Sequence, residues 1–388
     1  MGEKQNHKVA RAGTEESCVT NSRMARFKKY IYPGLGVKIL VSEIEQIKRD
    51  FFSSFNTIKN KVLVKECFHE DEDCSDRIIK AHSVQNNKIL NAISQDGMVL
   101  MFDHDVDDEM ALHSKMKPKG RKVATTFTGF CGHHDTAIFN PIENFDYEKG
   151  NKEQDFLFAY RALAKEYHSK KSVGNIYRHM LTLLREERYE EMNKRFTADN
   201  IPSEEHKFFM QELFSTNLVG NEDAEQRFER FKGWANNWLN AGEFNNIVTH
   251  TLEFEEEYHL AVSSTTYIER DLNNNIINDL SDWETMLAPL FITVFPQNGK
   301  TYVLLSHFAR NNRRYRRFTE QIVNSNIEEQ KIIISNIILA YIENFAFSPT
   351  KWDGMSKESR DEIESTFLNT SFEIDKSLLK NENVNLFV

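Results

Sequence analysis

The chain has 388 residues and a formal net charge of −10, with 40% hydrophobic and 28% charged residues. This hydrophobic content excludes a largely disordered chain and is enough for a substantial core, and the length suits two or three domains. The negative net charge argues against broad binding of nucleic acid by the whole surface, so any such binding has to come from local basic clusters.

The sequence also predicts the cellular location of the protein. No N-terminal stretch combines a basic start, an apolar segment and a small-residue cleavage site. The longest apolar run, over 332–342, is interrupted by Ser335 and Asn336 and is too short to span a bilayer. We therefore expect a cytoplasmic protein that has no membrane partner.

The N-terminal third contains a polar tail followed by a helix and short strands. Residues 1–24 carry few large apolar groups, which predicts a flexible tail. Apolar residues recur every three or four positions over 42–62, which predicts an amphipathic helix. A strand is then predicted at 98–102, a long charged loop over 103–122 and a further strand at 123–127.

The rest of the chain is predicted to be helical first and mixed afterwards. Helical spacing continues to about residue 239, and a period of two begins near Ile247. Asn298-Gly299 between two apolar runs predicts an antiparallel hairpin, and helices are expected over 313–346 and 356–368. The predicted fold class is α+β, with a tail at 1–24, a zinc module at 25–150, a helical region at 151–245 and an α+β domain at 246–388.

Cysteine and histidine spacing predicts a structural zinc site. Four cysteines in a long chain do not form a disulfide framework, and thiolates that cluster with histidine are more often metal ligands. A Cys-x-x-His pair opens an apolar segment at Cys131 and His134, and Cys67 and Cys74 could supply the second pair. A second tetrahedron stays open, in which His82 replaces Cys67.

Over about residues 65–145 the chain resembles the HNH, or His-metal finger, nucleases and the wider treble-clef fold. The resemblance is carried by Cys67 and Cys74, by Ala81-His82-Ser83-Val84-Gln85 and by Phe130-Cys131-Gly132-His133-His134-Asp135. In that family a structural zinc holds the finger, a histidine on the first strand acts as general base, and acidic, His or Asn groups hold a catalytic divalent metal.

The resemblance implies roles for individual residues of this chain. His82 matches the general base, and Asp135 matches a ligand position for a catalytic Mg²⁺ or Mn²⁺. Two departures are visible: Ala81 stands where the family has Asp or His, and a long insertion separates His82 from Cys131.

Two basic clusters are candidates for contacts with a nucleic-acid backbone. The first cluster lies within the charged segment, and the second is interleaved with aromatic residues near the predicted C-terminal helices. They comprise Lys115, Lys117, Lys119, Arg121 and Lys122, and Arg313, Arg314, Arg316 and Arg317. The alternative for the second cluster is a solvated helix whose arginines pair with acidic neighbours.

These features together favour a zinc-containing, HNH-like protein that binds DNA or RNA. Cleavage of the nucleic acid by a metal-dependent endonuclease activity stays open. The wider layout also resembles uncharacterised bacterial proteins associated with defence against phage. The competing hypothesis is a non-catalytic, zinc-stabilised interaction protein that binds a protein partner or forms a homo-oligomer.

Overall fold

The structure, a computed structural model, describes residues 41–69, 71–75, 77–106, 112–370, 376 and 381–388. The tail predicted over 1–24 lies outside this part of the chain. The longer helices are α1 (Val41–Val62), α2 (Gly132–Glu143), α3 (Lys152–Arg185), α4 (Glu204–Ala241), α5 (Asn312–Val323), α6 (Ile327–Tyr341) and α7 (Lys357–Thr370). Short helical segments are Asn86–Leu90, Asn91–Ile93, Tyr189–Met192, Phe244–Asn246, Ala309–Asn311 and Pro349–Gly354.

The strands form two antiparallel sheets. They are β1 (Ile78–His82), β2 (Met98–Val106), β3 (Leu112–Gly120), β4 (Thr126–Cys131), β5 (Ile247–Phe254), β6 (Leu260–Thr266), β7 (Leu290–Gln297), β8 (Lys300–Phe308) and β9 (Phe345–Phe347). β1 and β4 form a two-stranded sheet, and the other strands form a seven-stranded sheet in the order β3-β2-β9-β6-β7-β8-β5. Mixed helices and antiparallel sheets confirm the predicted α+β class.

The hairpin predicted at Asn298-Gly299 joins β7 to β8. Both turn residues have positive φ, 54° for Asn298 and 79° for Gly299. Two-residue turns of this kind require positive φ at both central positions, and Asn-Gly adopts it at low cost. The local sequence therefore determines this hairpin.

Helices cover both faces of the seven-stranded sheet. Alternate strand residues such as Phe291 and Phe295 pack into one core with α3 and α4. Their neighbours Ile292 and Val294 pack into a second core with α5, α6 and α7. Because successive side chains of a strand point to opposite faces, one apolar run fills both cores.

The charged loop predicted over 103–122 is wrong. β2 and β3 form an antiparallel hairpin in which Asp103 lies opposite Lys115. Ser114 and Met116 alternate inward with the lysines, so this charged strand still has a buried face. The strand predicted at 123–127 instead begins at Thr126 and ends at Cys131.

The predicted domain boundaries at residues 150 and 246 remain predictions. Strand β2, from the predicted zinc module, pairs with β9, which lies beyond residue 246. The hairpin of β2 and β3 is therefore part of the same sheet as the C-terminal strands. Within the described residues, no helix combines the length and the apolar character that a membrane span requires.

Candidate metal centre and the neighbouring His82 site

The predicted zinc ligands come from two segments of the chain that the fold brings together. Cys67 and Cys74 lie in the segment between α1 and β1. Cys131 ends β4 and caps α2, where its Sγ accepts a hydrogen bond from the backbone N–H of His134. His134 lies in the first turn of α2, so the strand-to-helix junction fixes two of the four side chains.

The four donor atoms have a spacing that suits zinc. They lie within 4.8 Å of one another. The His134 Nδ1 atom is 3.4 Å from the sulfur of Cys67, 3.5 Å from that of Cys74 and 3.3 Å from that of Cys131. Tetrahedral zinc, with Zn–S of about 2.3 Å and Zn–N of about 2.0 Å, requires a sulfur-to-nitrogen separation of about 3.5 Å. The residues present therefore fit a zinc ion.

The pKa values of the cysteine thiols also favour a bound metal ion. Burial raises the pKa of the Cys67 thiol to about 12, and the neighbouring thiols of Cys131 and Cys74 add to this increase. Burial also tends to raise the pKa of Cys131, but hydrogen bonds involving the His134 backbone and Ser75 outweigh it and lower the pKa to about 7. A zinc ion bound among these thiols would favour their deprotonated forms and offset the repulsion between them.

Asp71 and His69 surround His134 on its other side, and the sequence analysis did not identify them. Asp71 Oδ1 lies 3.2 Å from His134 Nε2, and Oδ2 lies 3.3 Å from His69 Nε2. The other ring nitrogen of His69 contacts the hydroxyl of Tyr160 at 3.2 Å, and Tyr160 donates to Asn236. The available signal was the His-x-Asp sequence inside the loop that carries Cys67 and Cys74.

His82 lies apart from this cluster. Neither group of candidate metal ligands found among the described residues includes it. It ends β1 opposite Thr126 of β4 and is half-buried. Its Nδ1 atom is buried and has no hydrogen-bond partner within the described part of the chain. The structure therefore brings Cys67, rather than His82, to the other three ligands.

Arg161 and Glu143 act electrostatically on both His82 and Asp135. Burial lowers the pKa of His82, whereas a hydrogen bond with the Ala124 backbone raises it; Glu143 also raises it and Arg161 lowers it. Burial raises the pKa of Asp135, which Arg161 lowers and Glu143 raises. The same ion pair therefore influences both groups, and His82 is not among the charges that shift the pKa of Asp135.

Arg161 and Glu143 form an ion pair at this site that the sequence did not reveal. The Arg161 guanidinium is 2.6 Å from a Glu143 oxygen and lies over the Phe139 ring, 4.0 Å from its centroid. Arg161 is only 3% exposed. The pair joins the end of α2 to α3, and it neutralises Glu143, the carboxylate that acts on His82.

The first basic cluster lies on the edge strand β3 and just after it. Lys115 and Lys117 alternate with the buried Ser114 and Met116, and strand geometry places Lys119 on the same face as these two lysines. Arg121 instead donates to the backbone and side-chain oxygens of Asn86, and Lys122 is exposed. Lysines on an edge strand also prevent pairing with strands of other chains, which is a structural reason for their presence.

The second basic cluster lies at the start of α5, where all four arginines are exposed. Arg316 lies 3.4 Å from Glu320, and Arg317 lies 3.4 Å from Asp271. Arg314 donates to the Met286 carbonyl on another side of the helix. Arg313, Arg316 and Arg317 line one surface groove together with Glu320.

The two basic clusters do not form one continuous surface. β3 is at one edge of the seven-stranded sheet, and α5 packs against β5 and β8 at the other edge. Six strand spacings of about 4.8 Å separate β3 from β5, which corresponds to roughly 29 Å. One ligand would have to be long to contact both clusters.

Comparison with protein-family models found no match, and neither did comparisons with curated proteins and with solved structures. The interpretation of the site therefore depends on its own geometry and chemistry.

Proposed function

We propose that the protein is a zinc-stabilised, HNH-like protein that binds nucleic acid and cleaves it with His82 as general base. The observation that carries this proposal is the position of His82. It is half-buried at the end of β1, Arg161 and Glu143 act on it as they do on Asp135, and its strand pairs with β4, which ends at the ligand Cys131.

The scaffold supports a treble-clef-like module. A loop that carries Cys67 and Cys74 precedes β1, which pairs with β4 in the two-stranded sheet, and α2 follows β4 with the ligands Cys131 and His134 at its start. A zinc ion bound there would tie the loop to the helix and so fix the two-stranded sheet that carries His82.

The protonation state of His82 suits a general base. Its pKa lies below the ordinary value of 6.5, mainly because of burial, so the ring is neutral at pH 7. Its Nδ1 atom is buried and unpartnered, so a water molecule admitted beside it would find an acceptor for its proton.

Two charged groups complete the proposed site. Asp135 supplies the carboxylate that would hold Mg²⁺ or Mn²⁺, a cation whose charge stabilises the phosphodiester transition state. The Arg161 guanidinium keeps Glu143 engaged at 2.6 Å, so Asp135 is the more available carboxylate.

The basic clusters are the proposed contacts with the nucleic-acid backbone. Lys115, Lys117 and Lys119 lie along β3, and Arg313, Arg316 and Arg317 line the groove of α5. Their charge allows local contacts with phosphate despite a net charge of −10. A role in bacterial defence against phage rests on the resemblance of the layout alone.

A second candidate function has its own support. Ala81 provides no metal ligand beside His82, and Glu143 is already paired with Arg161. Both features favour a non-catalytic module in which zinc stabilises a surface that binds a protein partner or a second copy of the chain.

A cleavage assay separates the two functions. The full chain is incubated with single- and double-stranded DNA and RNA in the presence of Mg²⁺ or Mn²⁺. Cleavage is expected, and His82→Ala should slow it by about 10²-fold or more without loss of zinc, since general-base catalysis contributes on that scale. His133→Ala, which removes an exposed histidine, is the matched control and should retain activity.

Two results would contradict the nuclease proposal. If the wild-type protein cleaves none of these substrates with either cation, the non-catalytic function becomes the better account. If His82→Ala releases zinc, His82 has a structural role and its assignment as the base is wrong.

A further inference from the structure

A polar cavity of about 550 Å³ lies between the seven-stranded sheet and α3. β3 and β6 contribute to its walls, as do the segment after α6 and the turn before β4. Its volume falls within the range of small-molecule sites, about 300 to 1,000 Å³. Neither the zinc ligands nor His82 and Asp135 line it.

Three lysines line this cavity without a carboxylate partner. In the described part of the chain, Lys59, Lys119 and Lys165 form no ion pair within 4.0 Å; the Lys165 ammonium donates to the Ser169 hydroxyl at 3.3 Å. By contrast, Lys170 on the same wall pairs with Glu166 at 3.1 Å. Four lysines and three carboxylates, Asp103, Glu166 and Glu343, line the cavity, so its lining carries a small net positive charge.

The charged groups of the cavity shift the pKa of Lys165 in both directions. Burial lowers its pKa, and the charges of Lys59 and Lys119 lower it further, while Glu166 and Glu343 raise it. A bound anion would stabilise the charged form of Lys165 and offset the repulsion among the three ammonium groups.

Two buried hydroxyls also line the cavity without hydrogen-bond partners. Thr125 and Thr265 are 3% and 5% exposed, and their Oγ1 atoms contact no donor or acceptor among the described residues. A buried polar atom without a partner costs about 1 to 3 kcal/mol, so a ligand group that reached either hydroxyl would regain a hydrogen bond.

The backbone of Thr125 is strained at the same place. Its φ is 58°, in the left-handed region, which is a rare conformation for a β-branched residue. The N–H and the hydroxyl of Ser83 both donate to the Thr125 carbonyl at 3.0 Å and hold it there. Strain that the surroundings maintain is typical of ligand sites.

We propose that this cavity binds a mononucleotide. The three lysines and the two threonine hydroxyls are donors for a phosphate group, which carries more charge and more acceptor oxygens than a carboxylate. Glu343 lines the cavity as an acceptor for a ribose hydroxyl or a base amino group. Phe102 lines it beside Phe367, with ring centroids 3.8 Å apart, and supplies an apolar wall for the base. This inference goes beyond the proposed nuclease function and does not depend on it.

The proposal can be tested by isothermal titration calorimetry on the full chain. The probes are the four ribonucleoside monophosphates, the four triphosphates and inorganic pyrophosphate. At least one nucleotide should bind with a stoichiometry of one. Lys165→Met should weaken this binding about tenfold or more, and Thr265→Val should weaken it several-fold. Lys357→Met, at an exposed lysine on α7, should leave it unchanged.

Three results would overturn the proposal. They are the absence of nucleotide binding up to millimolar concentration, binding of pyrophosphate without binding of any nucleotide, and nucleotide binding that neither cavity variant weakens. Thr265→Val is nearly isosteric, so it tests the site even if Lys165→Met fails to fold. A nucleotide-binding protein that cleaves no nucleic acid would support this inference and contradict the nuclease proposal.

Discussion

The Nε2 atom of His134 lies 3.2 Å from Asp71 Oδ1, while the Nδ1 atom of the same ring contacts the sulfurs of Cys67, Cys74 and Cys131. A carboxylate at Nε2 holds the proton on that nitrogen and leaves the Nδ1 lone pair for a metal. Asp71 is thus a positioning residue for His134, and it lies in the loop that carries two of the thiols.

Replacing Asp71 with Ala should weaken zinc binding without preventing it. Loss of such a hydrogen-bonded carboxylate typically costs 10- to 100-fold in metal affinity, because the ring orientation and tautomer are no longer fixed. The measurement is competition for zinc with a chromogenic chelator, together with the absorption spectrum of the Co²⁺-loaded protein, which should keep its thiolate bands. Asp73→Ala, at an exposed carboxylate in the same loop, is the control. Equal zinc affinity in Asp71→Ala and wild type would remove the positioning role.

Removing a thiol of the cluster should remove the zinc and destabilise the protein. Cys131 is fully buried and is both a candidate ligand and the cap of α2. We expect Cys131→Ala to lose stoichiometric zinc and to lower the free energy of unfolding by more than about 4 kcal/mol, because loss of a structural metal is among the largest single-residue effects. Elemental analysis and urea denaturation measure the two effects, and Cys18→Ala serves as control because Cys18 is outside the predicted ligand set. Native protein that contains no zinc would contradict the zinc assignment.

Reversing the arginines of the α5 groove should weaken nucleic-acid binding and make it less sensitive to salt. Arg313, Arg316 and Arg317 share this groove, so their replacement by Glu removes the proposed phosphate contacts together. Each lost contact should reduce the slope of log K against log salt by about 0.9 for duplex DNA. Filter binding across a salt series measures the slope, with Arg230→Glu at an exposed position of α4 as control. Wild-type protein without salt-dependent retention of DNA or RNA would favour the protein-partner function.

Stability should fall as the pH decreases from about 6.5 towards 4, partly because of His307. Burial lowers its pKa from 6.5 to about 4; the Phe308 carbonyl opposes this shift and the neighbouring His250 adds to it. In this window the unfolded chain binds a proton at His307 that the native protein does not bind, so the unfolded state gains stability. The full effect is on the order of 3 kcal/mol, since one pKa unit corresponds to about 1.4 kcal/mol.

His307→Phe tests this contribution and keeps an aromatic ring against Tyr315, whose centroid lies 5.4 Å away. The variant should show a shallower dependence of unfolding free energy on pH between 7 and 4.5, measured by urea denaturation. His168, whose pKa burial also lowers to about 4, should account for part of the remaining slope. An unchanged slope in His307→Phe would show that His307 does not titrate as described.

Local sequence was sufficient for features that depend on neighbouring residues. The spacing of apolar residues predicted α1, and Asn298-Gly299 predicted the turn between β7 and β8. The prediction of a loop over 103–122 was wrong because the charges of β3 obscured the alternation of its inward residues Ser114 and Met116. The inward direction of these two side chains stabilises the protein only when the sheet is assembled and buries them.

The sequence by itself determined which side chains could form a metal centre, because thiols and imidazoles are few and their pairs lie at recognisable spacings. Only the tertiary structure decided that Cys67, rather than His82, joins the cluster, and that Asp71 contacts the far side of His134. Likewise, the unpaired lysines of the cavity come from α1, β3 and α3, which are distant in sequence. Charge pairing and desolvation depend on distances between such elements, and those distances are set by packing rather than by local spacing.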